Sequence, residues 1–411
     1  MIAYTLNASV SKWNCTGLRK SMNVKLKGQV TFFIILTIVT VEIAMSFNSV
    51  LLPNLKAEMA LSEQMAQWSL GIGLLALGFS GILYGAVSEN LGRRPIILSG
   101  LSLFCIGTLV TALSSNVIFL LVGRFIQGFG AGVGWIVGNA SLKDIYDNNR
   151  YAKAMNTVHS AAGAVPIIAP VVGSYIANFF GWRATFGVLV VGTALILVLK
   201  ILKLPETNFH REPITFATAV GSYKSLFFNG KYLKLLSVKA LSVMLLFTES
   251  ANIPLIFIGN LKVDPKLYGF YMLPVSISYV ISSYISGLLV GRFCLKKLIS
   301  TGLVLILASN ISVLLLMRFY ELDALLIQLL KVFTYAGWGM IFGNATAELI
   351  SAVPKNPGAA SAVMISLEMI FLACGIYILS LFYDGTLFPL SLFMIFISLL
   401  CLLIIRLPPH S

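Results

Sequence analysis

Glu42, Glu249 and Glu368 stand deep inside long apolar windows, each about ten or more residues from the nearer N-terminal window edge. Placing a charged side chain at such a depth in hydrocarbon costs about 2.5–3.5 kcal/mol by insertion scales, so these residues mark a pathway or a polar partnership. A low-dielectric surrounding favours the neutral form of a carboxyl group, and water, a cation or a guanidinium favours the ionised form. A deep carboxylate can therefore take up and release a proton. Ser46 and Ser49 follow Glu42 at i+4 and i+7, which gives an otherwise apolar helix one polar stripe. Ser242 and Asn252 flank Glu249 at i−7 and i+3. Glu42 and Glu249 occupy matching places in two halves of the chain and are expected to face one central cavity from opposite sides. A structural ion pair or a helix–helix hydrogen bond is the competing reading for each. Arg124 is a fourth deep charge, and Glu348 sits at a window end where solvation suffices. His159, at the start of a window, reads as an interfacial packing residue.

Other chemistry lacks its residues. Five cysteines and three histidines are scattered without ligand spacing, so neither a metal site nor a disulfide framework is expected. The chain shows no HExxH, P-loop or nucleophile-elbow motif, and it is not expected to be an enzyme or to need a cofactor.

The elements that position these charges follow from composition. Apolar residues (AVILMFWYC) make up 58% of the 411 residues and charged ones 11%, against about 25% charged in a soluble domain. That excludes a water-soluble enzyme or DNA-binding protein as a description of the whole chain. Apolar windows near 29–51, 66–88, 96–115, 117–141, 155–179 and 183–203 are followed by a second set near 235–258, 268–291, 297–317, 324–348, 358–381 and 386–406. Each is long enough to span a bilayer, which takes about 20 residues. The expected fold is an all-α polytopic membrane protein of twelve transmembrane helices in two six-helix bundles. The divisions are a basic tail (1–28), a first bundle (29–203), a linker (204–234), a second bundle (235–406) and a short tail (407–411).

The net charge of +14 is mostly topology. Lys12 to Lys27, Arg93, Arg94, Lys143, Arg150, Lys153, the run Lys200 to Lys239, Arg292, Lys296, Lys297, Lys355 and Arg406 fall on one side. The other side carries little beyond Lys56, Arg183, Lys262, Lys266 and Arg318. The positive-inside rule puts both termini in the cytoplasm. Membrane lipid is then a partner and nucleic acid is not. The halves also echo each other. Gly132 to Ala140 has a counterpart in Gly337 to Ala345, 205 residues later, and Tyr84-Gly85 leading to Arg93-Arg94 is matched by Ser286-Gly287 leading to Lys296-Lys297. Such repeats suggest two bundles rocking about a midplane site.

Gly85-Ala86-Val87-Ser88-Glu89-Asn90-Leu91-Gly92-Arg93-Arg94 is similar to the loop motif G-x-L-x-D-R-x-G-R-R of the major facilitator superfamily, with Glu89 and Asn90 at the two departing positions. Arg124 to Gly130 resembles R-x-x-Q-G-x-G, with Asp144 following. Ala169-Pro170-Val171-Val172-Gly173-Ser174 resembles the antiporter motif G-P-x-x-G-G, and Leu204-Pro205-Glu206-Thr207 closes the sixth window. The order of these pieces resembles the twelve-span drug:proton antiporters of the Bcr/CflA type. The resemblance implies several roles. Gly85, Glu89, Gly92, Arg93, Arg94 and Asp144 would form a conformational latch, while Gly163, Pro166, Pro170 and Gly173 would form the antiporter stretch. Arg124 would be a motif-borne coupling residue paired to a carboxylate, beside Glu42, Glu249 and Glu368, which are candidates for proton coupling by their depth alone. Phe47, Trp135, Tyr279, Tyr284, Tyr335, Trp338 and Phe371 are the aromatic candidates for a substrate cavity. The implied activity is export of a small organic compound across the inner membrane by a single chain, driven by the proton-motive force. Two alternatives stay open: a proton symporter importing a nutrient or siderophore, and a non-transporting receptor or scaffold on the same fold.

Overall fold

The structure, a computed structural model, describes residues 23–209, 216–320, 323–353, 357–382 and 384–407. Twelve helices in it are long and apolar enough to cross a membrane. Spans one to six are Val24–Val50, Glu63–Leu91, Arg93–Ala112, Val117–Ile145, Asn148–Phe180 and Trp182–Lys203. Spans seven to twelve are Gly230–Pro254, Pro265–Leu289, Leu295–Phe319, Ala324–Ser351, Pro357–Ser380 and Leu387–Arg406. Short helices at Leu52–Glu58 and Phe216–Phe227 lie outside the spans. The all-α expectation is met. Most of the basic tail (residues 1–22), Lys355, the linker residues 210–215, the end of the short C-terminal tail (408–411) and the side chain of Ser49 lie outside the described residues.

Local chemistry sets the helix ends. Asn116, Asn229 and Asp323 accept hydrogen bonds from the backbone N–H groups of Phe119, Tyr232 and Leu326 and so cap spans four, seven and ten. Gly92 separates spans two and three with φ of 101°, a conformation that a side chain disfavours. Several helices extend beyond their apolar windows. Span five begins at Asn148 and span seven at Gly230, so flanking polar residues are carried into the bundle.

Small residues let the helices close on one another. A Cβ on Gly128 would meet the backbone of Gly73, and one on Gly130 would meet the backbone of Phe104. Span four is thereby clamped between spans two and three. Pro166 and Pro170 sit inside span five, whose helix runs on through both. One buried apolar cluster fills the first half and crosses into Leu298, Leu349, Ala359 and Met364 of the second; another fills the rest of the second half. The halves are therefore packed together at the end that carries the loop between spans two and three.

Candidate functional site

The residues expected to form the latch converge on that joined end. The Arg93 guanidinium, 1% exposed, donates to Glu89 Oε2 at 2.8 Å, to Asp144 Oδ2 at 2.9 Å and to Ser88 Oγ at 2.7 Å. Gly85 allows spans two and eleven to touch, because a Cβ there would lie 2.8 Å from the Gly358 carbonyl oxygen. Across the same contact the Gly358 N–H donates to Glu89 Oε1 at 2.8 Å. One carboxylate thus binds its own half through Arg93 and the other half through a backbone amide. Arg94 turns to span six and donates to the Ile201 carbonyl at 2.7 Å. Glu206, from the Leu-Pro-Glu-Thr stretch, accepts from the backbone N–H groups of Arg93 and Arg94 at 2.8 and 3.1 Å. It fixes the start of span three under the latch. A second junction lies across spans five, eight and ten. There Asn156 Nδ2 donates to Asn344 Oδ1 at 2.7 Å, and Ser283 donates to the Asn156 carbonyl at 3.0 Å.

At mid-depth a path of polar and aromatic groups runs from one half into the other. Glu42 is half-buried and accepts from the Trp135 indole N–H at 3.1 Å. The Trp135 ring lies 5.1 Å from His159, and His159 lies 6.0 Å from Phe342 of the second half. Lys239 Nζ stands 4.3 Å over the Phe342 ring and 3.9 Å from Glu368 Oε1. Tyr279 completes the junction: its ring is 6.1 Å from Phe342 and fills the space left by Gly163 of span five. Gly163 is therefore part of the contact between halves. Gly173 receives the ring of Phe47 in the same way, within the first half.

Several expectations are corrected by this geometry. Glu249 does not face Glu42 across a cavity. It is fully buried within the second half, where Lys331 Nζ lies 3.2 Å from its Oε2 and also donates to Asn310 Oδ1 at 2.8 Å. Burying an acid there requires an internal counter-charge, and span ten supplies it. Arg124 pairs with no carboxylate among the described residues. Its guanidinium donates to Gln127 at 3.2 Å and stacks 4.7 Å over Phe186. Among the aromatic candidates, only Trp135 and Tyr279 join the central path. Phe47 and Trp338 are buried in packing, Tyr335 packs on Trp338 at 4.8 Å, and Phe371 packs on the second-half core. Tyr284 lies with Ile277, Ile281 and Leu288 on an exposed apolar stripe of span eight.

Lys239 and Lys331 are not among the residues expected to form the site, and His159 is expected there only to pack. Lys239 falls in the run assigned to the cytoplasmic flank, but span seven starts at Gly230 and carries it inside, where it is 3% exposed. Lys200 of the same run is buried and hydrogen-bonded to Thr37. His159 is eleven residues beyond the first residue of span five, well within the helix. Lys331 was detectable by the rule that singled out the carboxylates, since it is a lone charge within an apolar window.

The family description Major Facilitator Superfamily matches residues 34–376. The chain belongs to the Major Facilitator Superfamily. It is a multi-pass membrane transporter and not an enzyme. Within the superfamily it is similar to the multidrug resistance protein MdtL of Shewanella oneidensis, 26% identical over 317 residues that cover 76% of this chain and 78% of the relative. It is also similar to MdtL of Klebsiella pneumoniae, 25% identical over 320 residues with the same coverage. Among solved structures, the human organic anion transporter MFSD10 shares the fold with a TM-score of 0.77 at 17% identity, over 92% of this chain and 99% of that one.

Proposed function

We propose that this superfamily member exports small organic compounds, cationic or neutral and aromatic in character, in exchange for protons across the inner membrane. The name of its MdtL relatives, multidrug resistance protein, supports a reading as an exporter of drug-like compounds. The observation that carries the coupling assignment is the situation of Glu42. Glu249 and Glu368 each have a lysine within 4.0 Å, whereas Glu42 has no cation that close among the described residues. Among the described residues its hydrogen-bond partner is the neutral indole of Trp135. A carboxyl group held this way can change its protonation without stranding a buried counter-charge. Glu368 and Lys239 stand at the far end of the same path. A cationic solute there competes with Lys239 for the carboxylate, while Trp135, His159 and Phe342 offer ring surface. Arg124 acts at one remove, by holding Gln127, which bonds to Asn48 of span one at 3.4 Å.

With the cation-rich end taken as cytoplasmic, the joined state is the one closed to the cytoplasm. Opening breaks the Glu89–Gly358 and Asn156–Asn344 bonds and rocks residues 29–203 against 235–406. One proton crossing about 150 mV supplies roughly 3.4 kcal/mol, enough for a gradient of about 300-fold in a neutral solute. The test is uptake of a panel of cationic and neutral aromatic compounds into everted and right-side-out vesicles, with and without a protonophore. Protonophore-sensitive accumulation in everted vesicles supports export. Accumulation in right-side-out vesicles, or insensitivity to the protonophore, refutes this reading.

A further inference from the structure

The two halves neutralise matching basic pairs in different ways. Arg93-Arg94 opens span three, and Lys296-Lys297 lies at the start of span nine, 203 residues later. In the first half three acids serve the pair: Glu89 and Asp144 at the Arg93 guanidinium, and Glu206 at the backbone of both arginines. The same offset carries Glu206 onto Pro409, since Leu204-Pro205-Glu206-Thr207 matches Leu407-Pro408-Pro409-His410. It carries Glu89 onto Arg292. Among the described residues, none of Lys296, Lys297 and Arg406 has a carboxylate within 4.0 Å. Asp144 falls on Ala347, and the adjacent Glu348 lies 3.9 Å from Lys231 instead, so the second half keeps the basic pair without acids placed to serve it.

At this position a cleft of about 240 Å³ lies between spans nine and twelve. Lys297, Arg406, Ser300 and Thr301 line it together with apolar Val304 and Leu402. The Thr301 hydroxyl donates to the Lys297 carbonyl, whereas Ser300 donates to no acceptor among the described residues. From the cleft an exposed apolar surface continues along both helices: Val304, Ile311 and Leu315 on span nine, and Leu403, Leu399 and Phe396 on span twelve. The stretch from Val304 to Leu315 is about 16 Å long at 1.5 Å per residue. A soluble anion would use the cations and leave this surface idle. A phosphodiester carrying acyl chains uses both.

We propose that this cleft binds one anionic phospholipid, with its phosphate between Lys297 and Arg406 and its acyl chains along the apolar stripe. The lipid supplies the negative charge that Glu206 and its neighbours supply in the first half. The site needs only the membrane location and is independent of what the protein carries.

The test is native mass spectrometry of the purified full chain in neutral detergent, titrated with phosphatidylglycerol or with phosphatidylcholine of the same acyl chains. One phosphatidylglycerol should bind with a preference of roughly 30-fold, the contribution of two basic residues facing a lipid of net negative charge rather than one whose phosphate is neutralised by choline. Lys297→Gln with Arg406→Gln should reduce that preference to about one. Leu305 also lines the cleft, and Leu305→Trp, which narrows it and leaves the charges, should also lower the preference. Arg318→Gln, at the opposite end of span nine, should leave it unchanged. Equal binding of the two lipids, persistence of the preference in both cleft variants, or displacement of phosphatidylglycerol by millimolar inorganic phosphate would overturn the proposal.

Discussion

Asn139 and Asn344 occupy equivalent places in the two halves, within Gly-Asn-Ala sequences 205 residues apart, and their surroundings differ. Asn344 donates to Ser286 and to the Met340 carbonyl, both at 2.7 Å, and accepts from Asn156 of the other half. Asn139 is just as buried, yet neither polar atom of its side chain has a partner among the described residues. The residues that correspond to Ser286 and Asn156, at offsets of 202 and 205, are Tyr84 and Ser361. Their hydroxyls are buried and unpartnered as well. The junction across spans five, eight and ten is bonded through side-chain amides. Its counterpart across spans two, four and eleven relies on close backbone approach at Gly85 and Gly358 and on Glu89. The deep carboxylates divide the same way: among the described residues Glu42 of the first half has Trp135 but no cation within 4.0 Å, whereas Glu249 and Glu368 of the second are matched by lysines. The lesson is that a repeated motif preserves the helix contact while the polar groups within it can take separate jobs.

The largest effect should come from breaking the second-half ion pair. Glu249→Leu leaves Lys331 buried without its counter-charge and should destabilise the protein by about 3–5 kcal/mol. Adding Lys331→Met should recover most of that loss in unfolding of the purified protein. A single variant as stable as wild type would mean that the pair is not closed in solution.

The unequal junctions predict a smaller contrast. Asn156→Leu strands the buried Asn344 Oδ1 and should cost about 1–3 kcal/mol, while Asn139→Leu removes groups without a partner among the described residues and should be neutral or mildly stabilising. Equal losses in the two variants would erase the distinction.

Legibility in the sequence followed the same physics. The twelve spans could be read because a bilayer demands unbroken apolar length, and the Glu89–Arg93–Asp144 charge cluster because its members sit at motif positions. The pairing of Glu249 with Lys331 could not be read, since it joins residues 82 positions apart on helices whose rotation the pattern leaves free. Lys239 and His159 were obscured because both stand within five residues of the start of their apolar windows, whereas helices five and seven begin earlier, at Asn148 and Gly230, and so place them well inside. Tyr284 shows the converse limit: an aromatic ring in a span serves lipid, core or cavity equally well by type alone.

The smallest effect concerns the far end of the first half. Glu58 accepts from Trp182 Nε1 at 2.6 Å and pairs with Arg183, and the hydrogen bond from Arg183 holds its carboxyl below the ordinary carboxylate range. A lowered carboxylate value means that the stabilisation is present at neutral pH and fades only as pH falls through that lowered value. Because both partners are substantially exposed, Glu58→Gln should cost no more than about 0.2–1 kcal/mol at pH 7. The gap between variant and wild type should close in acid. A gap that widens in acid would contradict the assigned pairing.

The division of labour between the halves is tested most directly by substrate-driven pH change inside dye-loaded liposomes. Three proteins are compared: wild type, Glu42→Gln, and Glu249→Leu with Lys331→Met. Glutamine keeps an acceptor for Trp135 and loses the titrating proton, so Glu42→Gln should abolish the pH change, whereas the double variant should retain it. Proton movement in Glu42→Gln equal to that of wild type would contradict the account.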